Sequence, residues 1–233
     1  MPGDPPLYRA ALNGDVEQID RLISDGEDPN VAIEGTRWTP LIAAVDSGST
    51  DAVAAVLQAP GLDVNRTDDL GETALHAAVR AGEGTMAAAL IADRRTDPNA
   101  RSTIGRTPLS LAAFDGDRRV VALLLNDPAT RPNLVDRDRQ TPLHWAVMGG
   151  HAPVVQALLD DPRTNPGIRN TAGLTALDLA RERTDPALAA PLQAAGERGS
   201  DELDPGDTVP TIDVELPLPT RIAIPEPPRP GSS

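Results

Sequence analysis

A chain of 233 residues with no cysteine, no lysine and a formal net charge of −14 excludes several chemistries at the outset. Disulfides, thiolate metal sites and thiol nucleophiles require cysteine, and a phosphate-loop lysine, a Schiff base or a lysine general base require lysine, whereas every basic residue here is arginine. An acidic surface repels nucleic acid and anionic membrane, which are bound through phosphate neutralisation, and neither a signal-type segment nor a run of about 18 apolar residues occurs, so the expectation is a cytoplasmic chain with neither as partner.

In chain order, Asp4-Pro5-Pro6 is expected to open a first helix, with the Asp4 carboxylate as cap and proline at positions where a missing N–H costs nothing. Gly14 ends it, and a second helix over 16–24 turns Val16, Ile19, Leu22 and Ile23 inward. A tight turn at 26–30 leads to a polar finger over 31–38, and shorter fingers follow at 66–72, 100–106, 134–140 and 168–174. Asn65, Asn99 and Asn133 precede those fingers, where a short polar side chain tolerates turn conformations.

The stretch 136–162 is the fullest copy of the unit. Thr141-Pro142 starts a helix whose Leu143, Ala146 and Val147 share a face, and Gly149-Gly150 closes it. Pro153 starts a second helix carrying Val154, Val155, Leu158 and Leu159, and Asp161-Pro162 ends that one. The last copy begins well over 175–183, then Thr184 stands where glycine is due and Pro191 falls inside the final helix. From residue 197 the helical spacing vanishes, and 197–233 reads as a disordered, acidic, Pro-rich tail, either inert or carrying a short linear motif.

A stride of 34 residues returns the same residue types. One column reads Leu7, Leu41, Leu75, Leu109, Leu143, Leu177, and the next Ala10, Ala44, Ala78, Ala112, Ala146, Ala180. The glycine column reads Gly14, Gly48, Gly82, Gly116, Gly150 before failing at Thr184. This is an internal repeat array, in which length counts copies rather than domains. Thr39-Pro40-Leu41, Thr73-Ala74-Leu75-His76, Thr107-Pro108-Leu109, Thr141-Pro142-Leu143-His144 and Thr175-Ala176-Leu177 resemble the TPLH signature of the ankyrin repeat family. The resemblance spans about 4–196 and implies an all-α ankyrin-repeat solenoid with β-hairpin-like fingers. It divides 1–196 into copies near 4–34, 35–68, 69–102, 103–136, 137–170 and 171–196, the first and last being caps. The period departs from the family pattern, since the last four junctions carry one more residue in the turn after the second helix, as at 126–133.

No catalytic constellation stands out. By the same resemblance His76 and His144 bond the start of their own helices and His151 follows the glycine, so all three have structural explanations. Asp68-Asp69 and Asp160-Asp161 lie at turns, where aspartate serves backbone bonding and solvation. Arg94-Arg95 and Arg118-Arg119 read as parts of a solvated mixed-charge face. No cofactor or metal is expected.

What remains is a surface. The resemblance implies that first helices line a concave groove, with the residues just before each glycine pointing into it. That column reads Leu12, Asp46, Arg80, Phe114, Met148, Glu182, and a finger column reads Trp38, Glu72, Arg106, Gln140, Leu174. Both change residue type at every step, as a heterogeneous partner requires and as unconstrained solvent positions also do. Trp38, Arg80, Arg106, Phe114, Trp145 and Met148 are therefore the expected partner-binding residues. Phe114 and Met148 should form an apolar centre bordered by Arg80 and Arg106 and, at the other end, by Glu182. The alternative is that Phe114 and Trp145 turn sideways and fill gaps between neighbouring first helices, Trp145 standing in a half-buried column. The reading is a monomeric, non-enzymatic module that binds a partner protein and regulates or inhibits it, with a cryptic hydrolase on the concave face and a passive scaffold or spacer as alternatives.

Overall fold

A computed structural model describes residues 3–196 and 206–208. The remainder of the expected tail lies outside the described residues. Among those residues there are twelve α-helices and no strand, arranged in six pairs. These are α1 (Pro6–Leu12) and α2 (Val16–Ser24), α3 (Pro40–Asp46) and α4 (Thr50–Leu57), α5 (Ala74–Arg80) and α6 (Gly84–Ala92). They continue with α7 (Pro108–Asp115) and α8 (Arg118–Asn126), α9 (Pro142–Gly149) and α10 (Ala152–Asp160), α11 (Ala176–Glu182) and α12 (Pro186–Ala195). Odd-numbered helices stack in one row and even-numbered helices in a second. Helices this short are marginal in isolation, so stacking holds them. The leucines at 7, 41, 75, 109 and 143 and the whole alanine column are buried between the rows in one continuous core.

Local signals set the helix ends. Thr39, Thr107, Thr141 and Thr175 each accept the amide three residues on, and proline occupies the first turn of α3, α7 and α9. At α1 the cap position belongs to Pro5 rather than Asp4, and no side-chain cap bond forms there. The five glycines of the glycine column have φ between 68° and 79°, and Thr184 takes φ 53° in their place. The turn geometry is therefore kept in the last copy by a β-branched residue that tolerates it poorly.

Each asparagine ahead of a finger has a longer-range role than turn tolerance. Asn99 donates through Nδ2 to the Ala129 carbonyl at 2.8 Å and accepts the Arg131 amide at 2.8 Å. Asn30, Asn65 and Asn133 make the same pair of bonds to the turn of the following copy. Another 34-residue column, Asp68, Ser102, Asp136, Asn170, is buried at the heart of the fingers. Asp68 makes the expected backbone bonds, accepting the amides of Leu70 and Glu72, but it is buried rather than solvated. Neighbouring fingers are tied by single backbone bonds, among them Thr103 N–H to Leu70 O at 2.8 Å.

Arg95 also departs from the solvated reading. It pairs with Asp93 and donates to the Leu57 carbonyl at 2.7 Å, satisfying a carbonyl that α4 leaves open at its C-terminus. Arg163 does the same for Leu125 of α8.

Candidate functional site

The fold distributes the six expected binding residues over two adjoining clusters. In the first, Trp38 and Arg80 line a depression of about 130 Å³ with Ile42, Val45, Asp46, Ala77 and Ala81. Arg80 forms an ion pair with Glu72, whose side chain is largely buried. Burial pushes the Glu72 carboxyl up, and the Arg80 and Arg106 guanidiniums oppose that shift. Arg80 is therefore committed to a neighbour within its own copy.

The second cluster is built on α7, α9 and the finger that precedes α7. Trp145 is buried, and its indole Nε1–H donates to Asp136 Oδ2 at 3.0 Å. Burial pushes the Asp136 carboxyl up, while amide bonds from Gln140 and Asp138 and the indole bond hold it down. Of the two alternatives for Trp145, the side chain takes the gap-filling position between first helices, leaving one ring face available. Arg106 covers that face, its Cζ lying 3.8 Å from the ring centroid. Phe114 meets the Trp145 ring edge-on, centroids 5.4 Å apart and planes at 88°, and lies 5.8 Å from the same guanidinium carbon. A cation over an indole and an edge-to-face aromatic pair are both favourable, each by about 0.5–1.5 kcal/mol.

Phe114 is 40% exposed and Met148, at the matching position of α9, 39% exposed. Beside Phe114, Arg106 makes no ion pair among the described residues, and its Nε is buried without a hydrogen-bond partner. The guanidinium rests on rings rather than in an ion pair, beside the exposed Phe114 ring, with the Glu72 carboxylate acting on it at longer range. That arrangement suits an incoming apolar group flanked by a carboxylate.

Sequence reasoning missed four contributors. His151 donates through Nε2 to the Phe114 carbonyl at 2.9 Å, and Arg183 donates to the Met148 carbonyl at 3.2 Å. Each thus holds the backbone of a site residue from the next copy. Leu70 and Ile104, 52% and 48% exposed, stand at equivalent places on neighbouring finger tips. Their 34-residue spacing was the available signal. His76 and His144 are buried with both ring nitrogens engaged: Nδ1 meets the threonine at the helix start, and Nε2 reaches the carbonyl of Arg106 or Leu174 in the following copy. Among the described residues no group of three metal-ligating side chains is gathered, and no helix is long and apolar enough to cross a membrane.

The family model for ankyrin repeats in three copies matches residues 7–102, 54–136, 89–170 and 109–189. No curated protein matches. Among solved structures, the ankyrin repeat domain of Bcl-3, a member of the IkappaB protein family, superposes with a TM-score of 0.73 at 28% identity over 85% of this chain and 88% of that one. An ankyrin repeat domain from Acinetobacter baumannii AYE gives 0.74 at 26% identity, over 82% and 97%. A chain from the complex of the Bd0816 predatory endopeptidase of Bdellovibrio bacteriovorus with its immunity protein Bd3460 gives 0.69 at 25% identity, over 82% and 98%.

Proposed function

This chain belongs to the ankyrin repeat family, and from that premise we propose that it binds a partner protein through the Arg106, Phe114, Trp145 and Met148 cluster, with Trp38 and Arg80 extending the contact. Ankyrin repeats are protein–protein interaction modules. The observation that carries the assignment is the Arg106 guanidinium, held without an ion pair on the Trp145 ring beside the exposed side chain of Phe114. Interface hot spots favour Trp and Arg in partly desolvated pockets surrounded by lesser contacts, and this is the place on the described surface where an arginine and two aromatics meet. The partner segment offers an aliphatic or aromatic side chain next to an aspartate or glutamate. The finger tips carrying Leu70 and Ile104 are the expected outer boundary of the same interface.

The binding regulates the partner, and inhibition is the favoured form. A similar fold occurs in the complex of an endopeptidase with an immunity protein, which supports this reading. A monomer that binds protein and neither nucleic acid nor membrane fits the acidic surface. All three histidines have a ring nitrogen committed to a backbone carbonyl, which favours a binding role over hydrolysis. The test is affinity purification of the full chain from its native host, wild type beside Arg106→Glu. A protein retained by wild type and lost from the variant is expected. Identical profiles contradict the assignment.

A further inference from the structure

Residues 206–208 lie against the array although they begin eleven positions after the end of α12, and their contacts define a second site distinct from the Trp145 cluster. Asp207 is almost fully buried. Its carboxylate Oδ1 is 2.6 Å from Arg131 Nη2. Its main-chain carbonyl accepts both the Val135 amide at 3.0 Å and Arg101 Nη2 at 2.7 Å. Arg131 Nη1 also donates to the Gly206 carbonyl at 3.1 Å. One residue therefore has both its side chain and its backbone captured by two guanidiniums and an amide.

These donors are set in place by the repeats themselves. Arg101 is clamped by a bond from Nη1 to the Val135 carbonyl at 2.6 Å, which joins the bases of two consecutive fingers. The Arg131 amide is held by Asn99 Oδ1. The cradle is thus preorganised, and without an anion it brings two cations together at a partly buried place. Burial pushes the Arg101 guanidinium down and the Arg131 charge adds to that, while Asp207 and Asp136 counter it. Charge-assisted bonds of this kind are stronger and more directional than neutral ones, and a buried carboxylate needs such partners to be tolerated.

We propose that Arg101, Arg131 and the Val135 amide form a binding site for an extended peptide bearing an aspartate, and that its resident occupant is Gly206–Thr208 of the same chain. Chain length allows this. Ten residue steps from Gly196 reach about 35 Å when extended, and the cradle lies two copies back from the last one, about 20 Å at ordinary helix-packing distances. The charge balance agrees, since 197–233 holds eight acidic and three basic residues. The docked segment spans the junction of the third and fourth copies.

The test uses full-length protein and a synthetic peptide of residues 201–213. Asp207→Ala should speed hydrogen exchange at the Val135 amide at least tenfold, leaving helical circular dichroism unchanged. The peptide should bind Asp207→Ala at least tenfold more tightly than wild type, whose cradle is already filled. It should fail to bind Asp207→Ala carrying Arg101→Gln and Arg131→Gln. Equal peptide affinity for wild type and Asp207→Ala overturns the proposal, as does unchanged exchange at Val135. Val135 protection that grows with protein concentration assigns the segment to a second copy and overturns the intramolecular form.

Discussion

His151 Nε2 lies 2.9 Å from the carbonyl oxygen of Phe114, 37 residues earlier, so the backbone beneath the most exposed aromatic side chain is fixed by the copy that follows it. The ring reaches that carbonyl because two glycines make room. A Cβ on Gly116 would stand 2.5 Å from His151 Nδ1, and one on Gly149 would stand 2.5 Å from both His151 Cδ2 and the Phe114 oxygen.

Gly116→Val should therefore be strongly destabilising. The left-handed φ of 79° alone costs a β-branched residue roughly 1–2 kcal/mol, and displacing His151 from Phe114 adds about 1 kcal/mol. Gly84, at the start of α6, would place a Cβ in ordinary contact with Val120, so Gly84→Ala should be neutral or mildly stabilising. Denaturant melts of both variants check this pair of outcomes, and equal midpoints would remove the turn assignment.

Thr184 offers the converse experiment. It is exposed and holds a left-handed φ with a branched side chain, so Thr184→Gly should stabilise the chain by about 1 kcal/mol once glycine's entropy in the unfolded state is subtracted. A lower melting temperature in the variant would mean that the threonine side chain contributes more than its backbone costs.

Stability should fall on mild acidification. Burial pushes His76 and His144 down to about 4, whereas an unfolded histidine titrates near about 6.5. Between these values the unfolded chain takes up protons that the folded chain refuses. The histidine contribution is therefore complete above about 6.5 and is lost as pH falls towards 4, at up to about 1.4 kcal/mol per pH unit for each residue. Glu72 and Asp136, whose carboxyls burial pushes up, act in the opposite sense, since the folded chain holds their protons more tightly than the unfolded one. Thermal melts from about pH 7 to about pH 5 should show a steady decline that is shallower in His76→Gln, and a flat profile would contradict the buried neutral rings.

The asparagine ladder predicts a difference between two outwardly similar residues. Asn99→Ala strands the Ala129 carbonyl and the Arg131 amide, a loss of about 1–3 kcal/mol. Asn126→Ala, at the exposed last position of α8, should change little. Equal effects, measured by urea denaturation, would show that the ladder bonds are replaced by water without loss.

The repeat frame was legible because it rests on short-range rules applied six times. Leu143, Ala146 and Gly150 say where a helix is apolar and where it stops, and their columns report the copies directly. Interactions between copies left a weaker trace. Asn99 meets partners 30 and 32 positions on, so its column was visible but its bonds were not. Phe114 and Met148 were readable as exposed apolar positions from the glycine spacing. The placement of Arg106 on Trp145, across 39 residues, depends on side-chain rotamers that no periodicity encodes. The docking of Asp207 was hidden for the same reason, since its segment shares no repeat with its partners. Thr184 shows the reverse case, in which the stacked copies impose a backbone geometry that the local residue disfavours.

In the proposed interface Phe114 and Met148 form the floor of a partner-binding surface anchored by Arg106 and Trp145. The most direct measurement is the affinity of the captured partner for Phe114→Ser, Met148→Ser, by calorimetry, together with the melting temperature. A loss of at least about 2 kcal/mol of binding free energy with little change in stability is expected. Trp145→Ala should instead lower the melting temperature, because it empties a buried site and removes the indole partner of Asp136 Oδ2. Unchanged affinity in the double variant, or a large fall in its stability, would contradict the claim and leave Trp38 and the finger tips as the remaining surface.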